Sequence, residues 1–188
     1  MAVKPIMRPG GMSEAKTRCA QPVAADAAPD GKDPGTWPPA ALAALQAILD
    51  HSRATAGVAV RETFDHPARR LTAAEFVVFW NGIRTKAMAT CGADGAPHLA
   101  PVHAEFVAGR LRSTVYEHAV RRRNLRANPR VVFTTWGAHG AAAIVHGLAR
   151  EVPGSLRETR PGASGAPRRT VALEIEVTRI YAMKGRPE

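Results

Sequence analysis

The segment "STVYEHAVRRRNLRANPRVVF", residues 113–133, decides how the chain is interpreted, because it joins two predicted strands through a strongly basic helix. Within ten positions it contains Arg121, Arg122, Arg123, Arg126 and Arg130. Residues 117–127 are long enough for about three helical turns, and Asn128-Pro129 ends the helix because a residue before proline is pushed out of the helical region. Three roles compete for this charge: binding nucleic acid, binding a cofactor phosphate, and solvation of an exposed helix.

The spacing of the arginines argues against a helix that recognises nucleic acid. At roughly 100° per residue, Arg121, Arg122 and Arg123 spread over most of the helix circumference and cannot all face one ligand. Leu125 and Arg121, four positions apart, mark the side nearer the rest of the fold. A helix that reads DNA usually belongs to a helix-turn-helix or to a dimer of basic helices, whereas strands flank this one. We therefore predict that the chain binds no nucleic acid.

An inward arginine beside a strand-to-helix junction suits a phosphate group. A guanidinium offers paired donors to phosphate oxygens, and the free N–H groups at the start of a helix add further donors. Thr114, at the end of the preceding strand, supplies a hydroxyl for the same site. The residues favour a phosphate-bearing ligand, with Arg121 as the inward group.

The composition agrees with an anionic partner without identifying it. The 188 residues include 26 Lys and Arg against 16 Asp and Glu, a net charge of +10. Such a balance favours nucleic acid, a membrane surface or a phosphorylated ligand, and it equally describes a solubilising surface.

The length fits one domain with an extension. Cys19 and Cys91 lie far apart, so neither a disulfide framework nor a thiolate zinc site is indicated, and no metal is predicted.

The N-terminal region carries no signal for export or membrane insertion. It lacks the apolar core of a signal peptide, and no apolar run is long enough to span a bilayer. We therefore expect a soluble cytoplasmic protein that does not bind membranes.

Residues 1–38 are rich in Ala, Pro, Gly and Asp without a hydrophobic period, so they are predicted to be disordered or loosely attached. Met12, after a glycine pair, is a candidate natural start.

Two helices are predicted before the strands begin. Pro38 and Pro39 are the first two residues of the segment 38–52, which suits a helix start. This helix has apolar residues at helical spacing: Leu42, Leu45, Ile48 and Leu49. Residues 53–70 favour no particular structure, and we assign 39–70 as a helical extension. In "LTAAEFVVFWNG" (71–82), Thr72 and Glu75 have the spacing of a capping box, in which each side chain binds the other's backbone N–H.

From residue 84 onward the hydrophobic pattern changes from helical to alternating. The Asp94-Gly95 pair marks a tight turn between the first two strands. The predicted strands are residues 85–91, 98–107, 110–116, 130–136, 141–152 and 170–183. A loop is predicted over 153–169. Six strands with short turns, and one helix between the third and fourth, indicate a small antiparallel barrel, since closure removes exposed sheet edges.

Four segments of the chain, in this order, resemble the FMN-binding split-barrel family, which includes pyridoxamine 5'-phosphate oxidases and their deazaflavin-using relatives. They are "MATCGADGAPHLAPV" (88–102), "LRSTVYEHAVRRRNLRANPRV" (111–131), "VHGLAREV" (145–152) and "VTRIYAM" (177–183). The T-x-x-x-D-G-x-P hairpin followed by the R-N-L-x-x-N-P-R block carries most of the resemblance. It covers residues 71–188, and the first 70 residues lie outside it.

The resemblance implies a mainly β (α+β) fold, a six-stranded antiparallel split β-barrel with short helices that forms a flavin-binding domain over residues 71–188. It also implies a homodimer with the isoalloxazine ring of FMN in a cleft between two barrels. The implied ring contacts, mainly through backbone groups on the first strand, are Lys86, Met88, Ala89 and Thr90, followed by Pro101, Val102 and His103 on the second. The implied phosphate end consists of Thr114, Val115, Arg121 and Arg122. Ala119 departs from the pattern, because relatives often carry Ser or a basic residue there.

The implied function is that of an FMN-dependent oxidoreductase acting on a small organic substrate. The deazaflavin coenzyme is the alternative cofactor, since its acidic tail suits the additional arginines. A flavin performs hydride transfer itself while the protein orients it, so no catalytic side chain is assigned. His103 and Glu105 share one face of the predicted strand. Two functions of other classes stay open: a flavin- or haem-binding protein without turnover, and a nucleic-acid binder that uses the arginine run.

Overall fold

The computed structural model describes residues 31–159, 165 and 167–187. Its helices are α1 Pro39–Ala54, α2 Val58–Phe64, α3 Ala73–Gly82 and α4 Val120–Ala127. Its strands are β1 Lys86–Cys91, β2 Pro97–Val102, β3 Ala104–Val107, β4 Arg110–Tyr116, β5 Arg130–Trp136, β6 Ala142–Glu151, β7 Arg157–Thr159 and β8 Arg168–Met183. The candidate start Met12 and most of the predicted segment 1–38 lie outside the described residues.

The strands form one antiparallel sheet in the order β2-β1-β5-β6-β8-β4-β3, with β7 paired to β8. Strands β2 and β3 are the two ends of this order, yet only His103 separates them in the chain. The predicted strand 98–107 therefore pairs with β1 through its first half and with β4 through its second. Because the bend at His103 joins the two ends of the sheet, the sheet curls into the predicted barrel, and the mainly β class is confirmed.

The predicted number of strands was too low, for two physical reasons. The predicted strand 98–107 is divided at His103, since its two halves bond to different neighbours. The predicted loop 153–169 contains the short strand β7, which pairs with the start of β8. The described residues form eight strands where six were expected for the chain.

Helix α3 closes one end of the barrel with aromatic side chains. Phe76 and Trp80 are fully buried and contact the Phe106 ring on β3, with centroids 5.4 and 6.0 Å away. The Trp80 indole N–H donates to the carbonyl of Ala104 at 3.0 Å, so its polar atom is satisfied inside the core. The predicted capping box at the start of α3 is present in both directions.

The segment before α3 packs against the barrel. Leu45 and Leu49 of α1 belong to the buried core, and the Ser52 hydroxyl accepts a hydrogen bond from the Ile180 backbone N–H of β8 at 2.9 Å. Trp37 is also buried, and its indole donates to the Gly31 carbonyl at 2.6 Å. The described part of the predicted loose segment, from residue 31 on, is therefore ordered against the core.

Helix α4 is shorter than predicted because its first residues make other bonds. The Glu117 backbone N–H donates to the Arg169 carbonyl at 2.8 Å, and Ala119 has an extended backbone as the residue that caps the helix. The helix therefore begins at Val120. It ends at Ala127, and Asn128 is extended as expected for a residue before proline.

Two of the five arginines hold α4 against β6. Glu151 accepts hydrogen bonds from Arg122 at 2.9 Å to each carboxylate oxygen, and from Arg126 at 2.7 and 3.1 Å. These bonds, from Arg122 first and Arg126 second, lower the pKa of Glu151 to about 2. Leu125 is buried beneath the helix, as its position on the wheel predicted. The orientation of α4 on the barrel depends on both contacts.

Gly147 marks a point where the sheet admits no side chain. It lies at the register shift between β6 and β8, and a Cβ there would come within 2.5 Å of Ile175 Cγ2 and 2.7 Å of the Glu176 carbonyl oxygen. We expect Gly147→Ala to lower the free energy of unfolding by about 2 kcal/mol, because the strand backbone must shift. Urea denaturation measures the change. Gly82→Ala is the control, since nothing lies near that position, and equal losses in both variants would contradict the prediction.

We expect Glu151→Gln to lower the free energy of unfolding by about 1–2 kcal/mol, because two charge-assisted contacts lose their charge. The pKa of Glu151 is lower in the folded protein than its ordinary value of 4.5. The ionised Glu151 carboxylate therefore stabilises the folded protein fully above about pH 4.5, and this stabilisation is lost as the pH falls towards about 2. Denaturation of both proteins between pH 7 and pH 3 should show the difference shrinking.

Glu176→Gln is the matched control for this experiment. Its ion pair with Arg150 is longer, at 3.4 Å, and both side chains are more than half exposed. Exposed pairs contribute little, so we expect a loss below about 0.5 kcal/mol. A loss equal to that of Glu151→Gln would show that the contacts of Glu151 with Arg122 and Arg126 stabilise the protein no more than an exposed ion pair does.

Candidate functional site

Two surface cavities meet at Pro101 of β2. We call the first, of about 340 Å³, the slot; residues of β1, β2 and β5 form it together with Ile83 and Thr85. We call the second, of about 380 Å³, the groove; it lies between the end of β2, strand β4 and the start of α4. Pro101 is the one wall residue that the two cavities share.

The slot has mainly apolar walls. Leu99 and Trp136 lie on opposite strands of its rim and are 68% and 64% exposed, which is unusual for large apolar side chains. Thr134 and Thr135 supply hydroxyls on the β5 side, where they donate to the carbonyls of Ala143 and Thr85. The walls therefore suit a flat apolar group better than a charged one.

Lys86, at the base of the slot, is not available as a free amine. Its Nζ donates to the Ile83 carbonyl and lies 5.3 Å from the centre of the Trp80 ring. Burial lowers the pKa of Lys86 to about 8, and the charge of Glu105 opposes that shift. The amine is thus engaged within the fold.

The groove contains a guanidinium without a partner. Arg121 Nε is buried and has no hydrogen bond, and no ion pair joins Arg121 to any residue in the described ranges. Leaving a buried polar group unpaired costs about 1–3 kcal/mol, and more for a charge. Three threonines line the same space: Thr114, Thr159 and Thr170. This part of the groove therefore suits an anionic ligand that also accepts hydrogen bonds from hydroxyls.

A second arginine, Arg168, contacts Tyr116 in the wall of the groove. The Tyr116 hydroxyl accepts a hydrogen bond from Arg168 Nη1 at 3.2 Å, and the Arg168 guanidinium lies 5.4 Å from the ring centre. Such stacking orders the guanidinium over the aromatic face. Arg168 therefore lies against a wall residue of the groove, although it does not line the groove itself.

His103 lies in the groove at the bend between β2 and β3. Its Nε2 lies 2.9 Å from Glu105 Oε1, so the two side chains share a face as predicted. Lys32 Nζ lies 3.0 Å from the other oxygen of the same carboxylate. The His103 carbonyl accepts a hydrogen bond from the Ser113 hydroxyl at 2.7 Å, which fixes the bend.

Six of the eleven predicted site residues line these cavities: Lys86, Pro101, Val102, His103, Thr114 and Arg121. Met88 and Val115 are core residues that are 1% exposed, and they line neither cavity. Thr90 is buried and accepts a hydrogen bond from Asn124 at 3.1 Å. Ala89 is half-buried on β1 and lines neither cavity.

Arg122, predicted at the phosphate end, lies elsewhere. Its Nε and Nη2 donate to Glu151 and its Nη1 donates to the Glu117 carbonyl at 3.1 Å, so each of its three nitrogens already has a partner within the fold. The hydrogen bonds to Glu151 raise the pKa of Arg122. Arg123, by contrast, lines a separate cavity of about 380 Å³ between α4 and the β1–β2 hairpin.

Sequence reasoning missed several groove residues. Tyr116 follows Thr114 by two positions on β4, so the alternation of that strand could have identified it. Thr159 reaches the groove because β7 pairs with β8, and Thr170 because β8 pairs with β4 opposite Tyr116; no local signal predicts either pairing.

Two negative findings apply to residues 31–159, 165 and 167–187. No group of three or more His, Cys, Asp or Glu side chains there is arranged to hold a metal ion. The helices in the same ranges are all too short or too polar to cross a membrane. Cys91, at the end of β1, is an exposed free thiol.

Comparisons with known proteins identify the fold. No family model matches the chain, and no curated protein matches it. Among solved structures, a conserved hypothetical protein of Mycobacterium tuberculosis is 23% identical, with a TM-score of 0.53 over 64% of this chain and 89% of that one. Similarity at this level of identity shows the fold alone.

Two further solved structures are more distant. An FAD-binding protein of Mesorhizobium loti is 20% identical, with a TM-score of 0.48 over 62% of this chain and 96% of that one. An F420 reductase is 22% identical, with a TM-score of 0.41 over 51% of this chain and 87% of that one. The fold assignment depends on the mycobacterial structure and on the observed strand order. The resemblance is confirmed at the level of the fold: the chain is a split barrel.

Proposed function

We propose that this protein is an FMN-dependent oxidoreductase that acts on a small organic substrate. The observation that carries the proposal is the unpaired guanidinium of Arg121 in the groove, beside a slot with apolar walls. A guanidinium matches the oxygens of a phosphate group, and an apolar slot matches a planar ring. FMN carries both groups at opposite ends of one molecule.

The residues present fit this cofactor at each end. Arg121 and the Thr114 hydroxyl would hold the phosphate, where a buried Nε lacks a partner. Leu99, Pro101 and Trp136 would contact the ring in the slot. The predicted backbone contacts from Met88, Ala89 and Thr90 belong to the same proposal.

The contribution of the protein follows from these walls. A bound flavin supplies two-electron transfer, and the protein supplies binding, orientation and electrostatics. Arg121 fixes one end of the ligand, so the other end has one position along the slot. The apolar walls of the slot would cover the part of the ring that they contact, which limits the access of water to that part.

The deazaflavin coenzyme is the second candidate. Arg123 does not bind Glu151, unlike Arg122 and Arg126. It lines a further cavity beside α4, so positive charge extends beyond the groove. An acidic tail longer than a single phosphate would use that charge. The absorption spectrum separates the two cofactors, because bound FMN has two visible and near-ultraviolet bands and the deazaflavin has one main band.

We also propose that two copies of the chain form a homodimer across the slot. The support is the exposure of Leu99 and Trp136 at its rim, where a partner surface would remove both from water. Burial of such side chains stabilises an interface by about 25 cal/mol per Å² of apolar surface.

Arg121→Ala tests cofactor binding. We expect the dissociation constant for FMN, measured by quenching of its fluorescence, to rise about 30- to 100-fold, because a charge-assisted contact is lost. Arg130→Ala removes an equal charge outside both cavities and should leave the constant within about twofold of wild type.

Four results would contradict the proposal. Equal losses in both variants would indicate a general charge effect. Failure of the wild-type protein to bind either FMN or the deazaflavin would end the enzyme proposal. Salt-sensitive DNA binding that falls with Arg121→Ala would favour the nucleic-acid alternative. Stoichiometric cofactor without reductant-dependent turnover would favour a binding protein.

Leu99→Glu and Trp136→Glu test the dimer. We expect wild-type protein to have twice the mass of one chain by light scattering, and either variant to shift towards the monomer, because a charge is buried at the interface. Val78→Glu is the control, since Val78 is 63% exposed on α3 but does not line the slot. A monomeric wild-type protein that binds FMN normally would contradict the dimer.

A further inference from the structure

A further cavity lies on a different side of α4 from the groove. We call it the hairpin cavity; its volume is about 380 Å³, and it lies between α4 and the hairpin that joins β1 to β2. Arg123 lines the hairpin cavity, whereas Arg121 lines the groove. Residues two positions apart on a helix are separated by about 200° around its axis. The two arginines therefore serve separate spaces.

Opposite charges line the hairpin cavity without pairing. The Arg123 guanidinium has neither an ion pair nor a hydrogen bond in the part of the chain that the structure describes. Asp94, in the hairpin turn, forms no ion pair with a described residue either. Charged groups make their strongest hydrogen bonds with groups of opposite charge. Each of these side chains can therefore bind a ligand group of the opposite sign.

The hairpin turn fixes the position of the carboxylate. Asp94 Oδ1 accepts a hydrogen bond from the Ala96 backbone N–H at 3.0 Å. The turn itself is closed by the Gly92 N–H, which donates to the Ala96 carbonyl at 2.9 Å, and by the Gly95 N–H, which donates to the Gly92 carbonyl at 3.0 Å. Because Oδ1 is used within the turn, Oδ2 is the oxygen left for a ligand.

Two polar side chains in the same wall have hydrogen-bonding capacity that the fold does not use. His98 pairs with Thr90 across the two strands, and its Nδ1 is buried without a hydrogen bond. Asn124 donates through Nδ2 to the Thr90 hydroxyl at 3.1 Å, while its amide oxygen accepts no hydrogen bond from the described residues. Buried polar atoms in proteins are normally paired. His98 and Asn124 both line the hairpin cavity, so its wall suits a polar ligand.

The hairpin cavity also has apolar walls. Val120, the first residue of α4, is 41% exposed and lines the cavity. Ala93, Ala96 and Pro97 line it from the hairpin side. An apolar ligand group between these walls would be removed from water together with the Val120 side chain, which favours binding.

This combination selects a ligand that carries both charges. A phosphate or an acidic peptide would pair with Arg123 but would be repelled by Asp94, and a simple amine would meet the reverse situation. Among the described residues, no group of three or more His, Cys, Asp or Glu side chains is arranged to hold a metal ion. An α-amino acid carries a carboxylate and an ammonium group on one carbon, and its side chain can be apolar.

We propose that the hairpin cavity binds a small zwitterion, namely a free α-amino acid with an apolar side chain. Arg123 binds the carboxylate, Asp94 binds the ammonium group, and Val120 contacts the side chain. The inference goes beyond the proposed oxidoreductase function and does not depend on it, because the hairpin cavity shares no wall residue with the slot or the groove.

The first test varies the ligand. The full chain is titrated with L-leucine and L-valine, and binding is followed by calorimetry and by ¹⁵N NMR. We expect saturable binding of at least one of them, with the largest amide shifts at Ala93, Asp94 and Val120. L-Leucinamide lacks the carboxylate and 4-methylpentanoate lacks the ammonium group. Each should bind about tenfold more weakly than L-leucine, because each makes one charge contact instead of two.

The second test varies the protein. We expect Arg123→Gln and Asp94→Asn each to weaken binding of the amino acid about tenfold. An asparagine at position 94 can still accept from the Ala96 N–H, so the turn keeps its bond. Arg123→Gln should also abolish the preference for L-leucine over L-leucinamide, since the group that recognises the carboxylate is gone. FMN affinity should stay within about twofold of wild type in both variants.

Arg130→Gln and Glu62→Gln are the matched controls. Both residues are exposed and line none of the three cavities. Each control should bind the amino acid within about twofold of wild type, because exposed charges outside the site contribute little.

Four outcomes would overturn the inference. They are the absence of saturable binding with both amino acids, amide shifts confined to residues outside the hairpin cavity, equal losses in the controls, and equal affinity for L-leucine and its two analogues. Tighter binding of a γ-linked glutamate dipeptide than of L-leucine would instead assign the cavity to an acidic tail. The proposed function fails separately, in the FMN-binding measurement on Arg121→Ala, whatever the affinity for the amino acid.

Discussion

Glu151 of β6 accepts hydrogen bonds from Arg122 and Arg126, which lie four residues apart and thus on one face of α4. This contact fixes the rotation of the helix about its own axis. Once Arg122 is directed at Glu151, the neighbouring Arg121 is turned about 100° away, and in the structure it faces the groove. The unpaired guanidinium that carries the proposed function is therefore a consequence of the paired ones beside it.

The dense positive charge of α4 thus has several uses rather than one. Arg122 and Arg126 anchor the helix, Arg121 lines the groove, and Arg123 lines the cavity beside the β1–β2 hairpin. A basic helix that spread all its side chains into solvent would suit nucleic acid. A helix whose arginines are divided between a carboxylate clamp and a concave site suits a compact anionic ligand better.

The bend at His103 has a comparable influence on the barrel. Strand β2 ends where β3 begins, so one short segment closes the sheet and also places an imidazole in the groove. The Ser113 hydroxyl and the Glu105 carboxylate restrain that residue from two sides. The bend that closes the fold thus also positions a side chain in the wall of the groove.

The sequence by itself determined the features whose causes are local. The capping box of Thr72 and Glu75, the end of α4 before Pro129 and the position of Arg121 relative to Leu125 follow from spacing along the chain. Only the tertiary structure decided that Arg122 pairs with Glu151, that the segment 98–107 serves two neighbours, and that β7 brings Thr159 to the groove. Those contacts join residues far apart in sequence, and their free energy exists only after the sheet has closed.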